Sequence, residues 1–234
     1  MKFTIGIITS PEQDGRLPVR LNRIFESIAD QESYDDTEVI IVGGRETKNI
    51  GAYKFISFDE SIKQKWITRK KNIITQNAKY DNIVYMHDYV ILMPGWYKGF
   101  ESFGDKFDIC VTPILNLDGT RFRDWTLWPH DVEHILGMGN RKCLLPYDVD
   151  CFTKYMYISG AYWIAKKSVM EKFPLDETLS WGEGEDVKWS KQVRQHYKFI
   201  MNKESPVKLL KLKEVVFGEV TPDMLQKLKD HETL

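Results

Sequence analysis

The 234-residue sequence contains only three cysteines, Cys110, Cys143 and Cys151, and no two of them stand at a short paired spacing. An odd count without a metal-ligand pattern excludes a disulfide scaffold and a cysteine zinc site, and it implies reduced thiols. Cys110 falls in the apolar run 107–111, where a thiol is a packing group. No apolar stretch approaches the ~20 residues that a membrane-spanning helix needs. Neither sign of charge prevails: 33 Lys and Arg face 34 Asp and Glu, a formal net charge of -1. That balance excludes a polybasic grip on nucleic acid or on a membrane surface. The opening run from Met1 to Thr9 is too short and too strand-like for a secretory leader. Internal repeats and low-complexity tracts are also missing. These absences predict a soluble, cytoplasmic protein with no transmembrane segment and no nucleic-acid partner, which meets a membrane only through its acceptor or another protein.

What the chain has in quantity is hydrophobic patterning. At 42% hydrophobic residues, a chain of this length builds one substantial core, which predicts a single domain over 1–234. Residues 2–9 form an apolar, β-branched run and predict a buried strand. Leu17, Leu21, Ile24, Phe25 and Ile28 then recur at helical spacing. Further strands are predicted at 37–42, at 53–58 and at 82–86. Between the last two, the spacing predicts a helix over 61–80, capped by Ser61, with Ile62, Trp66, Ile73, Ile74 and Ala78 on one face. Strands alternating with helices imply a largely parallel sheet with helices on its faces. Ligands of such sheets bind where strands end at the carboxyl edge, which puts Thr9-Ser10, Gly43-Gly44 and His87-Asp88 on one rim.

The second half is less regular. A helix over 96–103 and a strand over 107–113 precede residues 117–153, which carry Arg121, Arg123, Trp125, Trp128, His130, His134 and Tyr147 without periodicity. Such a segment is predicted to be a long functional loop. A strand over 155–165, helices over 166–172, 185–196 and 222–229, and strands over 198–201 and 207–212 complete the expectation. Aromatics make up 13% of the chain and crowd between Trp96 and Trp189. They serve a core, or a cleft in which sugar rings pack on aromatic faces.

Two constellations carry chemistry. In Val84-Tyr85-Met86-His87-Asp88-Tyr89, a carboxylate directly follows a buried strand. Asp88, with His87 beside it, can hold a hard divalent cation and through it a diphosphate; a strand-ending Asp also caps a following turn. In Trp181-Gly182-Glu183-Gly184-Glu185-Asp186, two glycines allow a tight turn before a helix whose first residues are acidic. The helix dipole favours anions there. At ~100° per residue, Glu185 shares a face with Trp189, Val193 and His196, with Asp186 at its edge. Acids on an inward face are costly unless they are partnered or used. A third run, 65–72, is basic and reads as a solvated helix face or as a set of groups within reach of a diphosphate.

Taken in order, these segments resemble family 2-like glycosyltransferases of the GT-A fold. The run Thr68-Arg69-Lys70-Lys71-Asn72, the strand through Asp88 and Pro94-Gly95-Trp96 are similar to that group's central run, in which the strand ends in a metal-binding Asp-x-Asp or His-x-Asp motif. Trp181 to Asp186 resembles the Trp-Gly-x-Gly-Glu-Asp segment of β-1,4-galactosyltransferases, and Ser159-Gly160-Ala161 matches the segment before it. The resemblance implies an α/β single-domain, Rossmann-like GT-A fold: a mostly parallel central sheet, flanking helices and a small second sheet. It implies a nucleotide-sugar-binding half over about 1–115, an acceptor-binding half over about 116–210 and a tail or helix over 211–234. Asp88 and His87 would bind Mn2+ or Mg2+. Thr9, Ser10, Arg16, Lys71, Asn72 and Asp88 would hold a nucleotide-sugar donor, with UDP expected. Asp186 would be the general base and Glu185 would orient the sugar. Trp181, Gly182, Glu183 and Gly160 would meet a glycan acceptor, free or lipid-linked or protein-linked. A side-chain base opposite the leaving group predicts inversion. Tyr89 stands where many relatives place a second acid, and Gly43-Gly44-Arg45 replaces a frequent Asp. The alternative is therefore a catalytically inactive nucleotide-sugar or glycan-binding protein. A sugar-phosphate nucleotidyltransferase ranks third, because Thr9 to Arg16 contains a single glycine.

Overall fold

The structure is a computed structural model, and it describes residues 1–9, 15–31, 37–48, 50–139, 141–149, 152–213 and 217–232. In chain order the elements are β1 (Phe3–Ile8), α1 (Leu17–Ala29), β2 (Thr37–Gly43), β3 (Lys54–Ser57), α2 (Ile67–Asn77), β4 (Asn82–His87), β5 (Val90–Leu92) and α3 (Trp96–Phe103). There follow β6 (Ile109–Val111), β7 (Ile114–Leu115), β8 (Thr126–Leu127), α4 (Pro129–Leu136), β9 (Lys142–Leu144), β10 (Met156–Tyr157), β11 (Tyr162–Lys166) and α5 (Lys167–Lys172). The chain ends with α6 (Glu185–Val193), β12 (Phe199–Met201), β13 (Val207–Leu209), β14 (Phe217–Glu219) and α7 (Pro222–Glu232).

The main sheet has seven strands in the order β12-β6-β11-β4-β1-β2-β3. β1 runs parallel to β2 and β4, and β2 runs parallel to β3. β11 alone is antiparallel to both its neighbours, β4 and β6. Every residue of β1 and of β4 is buried, as a strand covered on both faces must be. On one face Phe3, Ile5 and Ile7 pack with Leu21, Ile24 and Phe25 of α1. On the other, Ile8, Ile74, Tyr85, Trp163 and Trp189 share a core. Each such fully buried apolar side chain contributes about 1.5–3 kcal/mol. Gly6 is required where α2 crosses β1, since a Cβ there would lie 2.3 Å from Ile74 Cγ2.

Two small sheets accompany the main one, β10-β8-β9-β14 and β5-β13-β7, rather than the single one expected. Residues 155–165, expected as one strand, divide between β10 and β11, which belong to different sheets. Residues 117–153 are not one loop. They contain β8, β9 and α4, which has Pro129 in its first turn and Gly137 at its end. The strands there are too short for a period to register. α2 starts at Ile67, six positions after the expected start. Ser61 caps no helix: its amide and hydroxyl both bond Asp59 Oδ1 in a local turn. Ile62 is exposed.

The basic face of α2 is not solvated. Lys70 and Lys71 are 0% and 1% exposed, and the other inward residues include Thr68, Asn72 and Thr75. Cys110 and Cys143 are buried and form no disulfide; Cys151 lies outside the described residues. Among the described residues, no helix is long and apolar enough to cross a membrane.

Candidate active site

Parallel pairing brings the ends of β1, β2, β3 and β4 to one level. Ile8 is in register with Val42 on one side and His87 on the other. The chain past the edge is pinned: Asp88 N donates to Ile8 O at 3.2 Å, and Thr9 N donates to Val42 O at 3.1 Å. Beyond the ends of β1, β2 and β3 lies a cavity of about 990 Å³, lined by Gly15, Leu17, the 44–48 turn and residues 57–61. Its size suits a small organic ligand. At its border Lys70 Nζ, deep in the protein, donates to Thr9 O at 2.6 Å and pairs with Glu60. Thr9 Oγ1 and Glu60 Oε2 are buried without a hydrogen-bond partner among the described residues. Of the donor residues read from the sequence, Thr9 therefore stands on this rim with bonding capacity to spare. Ser10 lies outside the described residues. Arg16 is exposed at the start of α1.

One turn further along α1 is a residue that sequence reasoning missed. Arg20 Nη2 donates to Asp88 Oδ2 at 2.9 Å and Arg20 Nε donates to Asp88 O at 3.0 Å. The guanidinium fork thus grips both the carboxylate and the backbone of Asp88, a geometry that only arginine supplies. A signal existed in the sequence: Arg20 sits inside the apolar stripe Leu17, Leu21, Ile24, where a charge has no place unless it is paired.

β11 enters the sheet at the same edge in the opposite direction. His87 N donates to Ala161 O at 3.2 Å, so Gly160 and Ala161 lie against the end of β4. Gly160 is held on both sides. Its N donates to Asp186 Oδ2 at 2.9 Å, and its O accepts from Lys71 Nζ at 2.8 Å. A Cβ at Gly160 would stand 3.1 Å from both Asp186 Oδ2 and Glu185 Oε1. Gly160 is thus the spacer that lets both acids approach the strand end. Gly184, at φ 75°, turns the chain into α6, whose first residues are Glu185 and Asp186, both buried. Asp186 Oδ1 accepts from Val187 N at 2.9 Å, so both carboxylate oxygens are fixed in place.

α2 positions the loop before α6. Trp66 Nε1 donates to Glu177 O at 2.7 Å and Thr68 Oγ1 to Leu179 O at 2.8 Å. Asn72 exchanges hydrogen bonds with the backbone of Leu175 in both directions and also donates to Glu177. Asn72 therefore braces this loop. Trp181 is 56% exposed, with Lys65 Nζ 4.9 Å from its ring centre. Glu183 is exposed and accepts from Ser180 N.

Charge at the site is uneven. Burial lowers the Lys71 ammonium to about 8, although Glu185 and Asp186 pull it up. Burial raises the Glu185 carboxyl, and Asp186 raises it further. Burial holds the His87 imidazole well below its ordinary range, with Lys71, Lys213 and Lys211 adding to the effect. Its ring stacks on Tyr89, 5.1 Å between centroids. Burial and then Lys211, Arg123 and Lys71 bring Lys213 down to about 7. Lys71 makes a stability prediction. Because the unfolded chain holds that proton to 10.5, stability is lowest below pH 8 and rises toward pH 10.5 as the folded state is relieved of the buried charge. Relative to Lys71→Met, the wild type is expected to gain about 2 kcal/mol between about pH 7.5 and pH 9.5. Urea titrations at the two pH values measure it; a constant difference would place the Lys71 transition elsewhere.

No family model and no curated protein matches this chain in sequence. Solved structures do resemble it. The S. aureus TarS 1–349 complex with UDP has a TM-score of 0.57 and 14% identity, over 97% of this chain and 63% of that one. The same fragment with UDP-GlcNAc has a TM-score of 0.57 and 12% identity, over 94% and 58%. GalNAc-T7 with UDP, GalNAc and Mn2+ has a TM-score of 0.65 and 15% identity, over 98% and 47%. The chain thus spans less than two thirds of these proteins. The shared property is the fold: a mixed α/β architecture on a mostly parallel seven-stranded sheet, that of GT-A glycosyltransferases.

Proposed function

We propose that this chain transfers a sugar from a nucleotide-sugar donor, a UDP-sugar, to a hydroxyl of a glycan or of a lipid-linked or protein-linked acceptor, with inversion. The observation that carries the reading is the convergence of two acidic segments on one backbone point: Asp88 at the end of β4, and Glu185-Asp186 at the start of α6, joined through Gly160-Ala161. UDP in TarS and in GalNAc-T7 supports the donor class. In this reading residues 1–115 bind the donor, with its nucleoside in the cavity beside Thr9. Residues 116–210 shape the acceptor site, with Arg123 turned toward the donor, residues 211–234 form a C-terminal tail and helix whose β14 pairs with β9 and whose Leu228 is buried, and the whole is one domain.

Asp186 accepts the proton of the acceptor hydroxyl as that oxygen attacks the anomeric carbon. The bond from that carbon to the diphosphate oxygen breaks, and its electron pair leaves with the nucleoside diphosphate. Two amide donors, from Gly160 and Val187, fix the base before substrate arrives. Glu185, whose carboxyl burial favours the protonated form, orients a sugar hydroxyl. Trp181 and the Gly182-Glu183 turn offer an exposed aromatic face and a carboxylate to the acceptor.

Among the described residues, the side chains at the end of β4 do not form a ready-made divalent-metal centre. Arg20 already holds Asp88 Oδ2. His87 is stacked on Tyr89 among lysines, which would repel a dication. Among the described residues, no three His, Cys, Asp or Glu side chains converge. The GalNAc-T7 structure holds Mn2+ together with UDP; in this chain Mn2+ or Mg2+ would have Asp88 as its anchor among the described residues, and no step above is routed through it. The test is calorimetric titration of UDP, GDP and TDP, each with and without Mn2+. UDP is expected to bind and the other two to bind more weakly. Absence of binding by all three under both conditions would overturn the transferase reading.

A further inference from the structure

Resting on that reading and extending its donor site past residue 115, we propose that Lys211, Lys213 and Arg123, gathered at Tyr89, form the diphosphate site of the donor and supply the positive charge there without a divalent cation. The cluster is built by the fold. β13 pairs antiparallel with β5, with Leu209 opposite Val90. Leu210 N then donates to Tyr89 O at 2.8 Å, which runs the chain that follows past the end of β4. Lys211 Nζ lies 3.7 Å from the Tyr89 ring centre. Lys213 Nζ lies 4.6 Å from it and donates to Tyr89 Oη at 2.7 Å. The backbone of Lys213 is anchored on both sides, by Asn116 Oδ1 at 3.0 Å and Asn116 Nδ2 at 3.3 Å. Phe122 bridges to the third cation, with Lys213 Nζ 5.2 Å and Arg123 Cζ 5.1 Å from its ring centre.

Three features point to an anion rather than to a cation or a bland surface. Tyr89 occupies the position after Asp88, and its ring and hydroxyl carry two ammonium groups where a metal site needs an acid. Among the described residues, the cations Arg20, Lys71, Arg123, Lys211 and Lys213 outnumber the nearby carboxylates Asp88, Glu185 and Asp186. Arg123 Nε is buried and has no hydrogen-bond partner among the described residues, so a donor stands ready there. A diphosphate has the charge and the several acceptor oxygens to bond all three side chains. Its place, next to Asp88 and across Gly160 from Asp186, is where a departing nucleoside diphosphate would gather charge.

The experiment uses the full chain in EDTA, titrated with UDP, uridine and inorganic pyrophosphate, and compares Lys213→Gln and the Lys211→Gln/Lys213→Gln pair. Wild-type protein is expected to bind UDP and pyrophosphate in EDTA. Each lysine lost should weaken both by about tenfold, as loss of a charge-assisted hydrogen bond does. Uridine affinity should stay constant, and added salt should weaken UDP far more than uridine. Melting temperatures of the variants within a few degrees of wild type exclude unfolding, and Lys213→Arg is expected to restore UDP binding. UDP binding that vanishes in EDTA and returns with Mn2+ would overturn the lysine site and leave the transferase standing. Variants that bind UDP like wild type would do the same. Lysine-dependent binding of pyrophosphate without any binding of UDP would keep the anion site and remove the UDP donor; binding of neither removes both.

Discussion

Asp186→Asn is expected to lower sugar transfer about a thousandfold while leaving UDP affinity within about twofold, the size of effect a positioned general base supplies. The substitution keeps the shape of the side chain. Its remaining carbonyl oxygen can still accept from Gly160 N, which keeps the tie between α6 and β11, while the bond from Val187 N is given up because the new NH2 group cannot accept it. What disappears is the group able to take the acceptor proton. Glu185→Gln should cost less, on the order of tenfold, because Glu185 orients a sugar and does not receive the proton. Single-turnover assays with a UDP-sugar, alongside UDP titrations, separate the two. If Asp186→Asn kept more than a tenth of wild-type turnover, the base would have to be sought elsewhere on the rim. If it lost UDP binding too, its role would be structural.

The main sheet was legible in the sequence because its strands are buried on both faces, which leaves continuous apolar runs in β1, β2 and β4. The acids of α6 were legible for a local reason: a Gly-rich turn followed by an acidic first helical turn is a feature of adjacent residues. The basic helix was not. Lys70 and Lys71 look like surface residues until Thr9, Glu60 and Gly160, distant in sequence, supply their partners. Lys211 and Lys213 escaped for the same reason. They alternate like the outward face of a strand, and only the pairing of β13 with β5 carries them to Tyr89. Asn72, read as a donor contact, braces the 175–177 loop, a task that no pattern within α2 announces. The short strands β8 and β9 gave no period to detect, although Pro129 and Gly137 bracket α4 as start and stop signals.

Arg20→Leu is expected to destabilise the fold by about 3 kcal/mol, as breaking a buried ion pair does when it leaves the Asp88 carboxylate without its cation. Arg20 and Asp88 are 15% and 7% exposed, so water replaces the lost partner poorly. Arg20→Lys should recover little, since one ammonium cannot reach Asp88 O and Oδ2 in the fork that Nε and Nη2 make. A double-mutant cycle with Asp88→Asn should give a coupling above about 1.5 kcal/mol; additivity within ~0.5 kcal/mol would show that the pair is a bystander. The same substitution tests who owns the carboxylate. Arg20 holds Oδ2, and among the described residues no group of three acids, histidines or cysteines stands there to take a metal, so wild-type and Arg20→Leu melting should both be indifferent to Mn2+. A wild type stabilised by Mn2+ as strongly as the variant would mean that the arginine yields its place readily. A variant indifferent to Mn2+ would mean that the end of β4 lacks the further ligands a metal needs, and that positive charge at this rim comes from side chains alone.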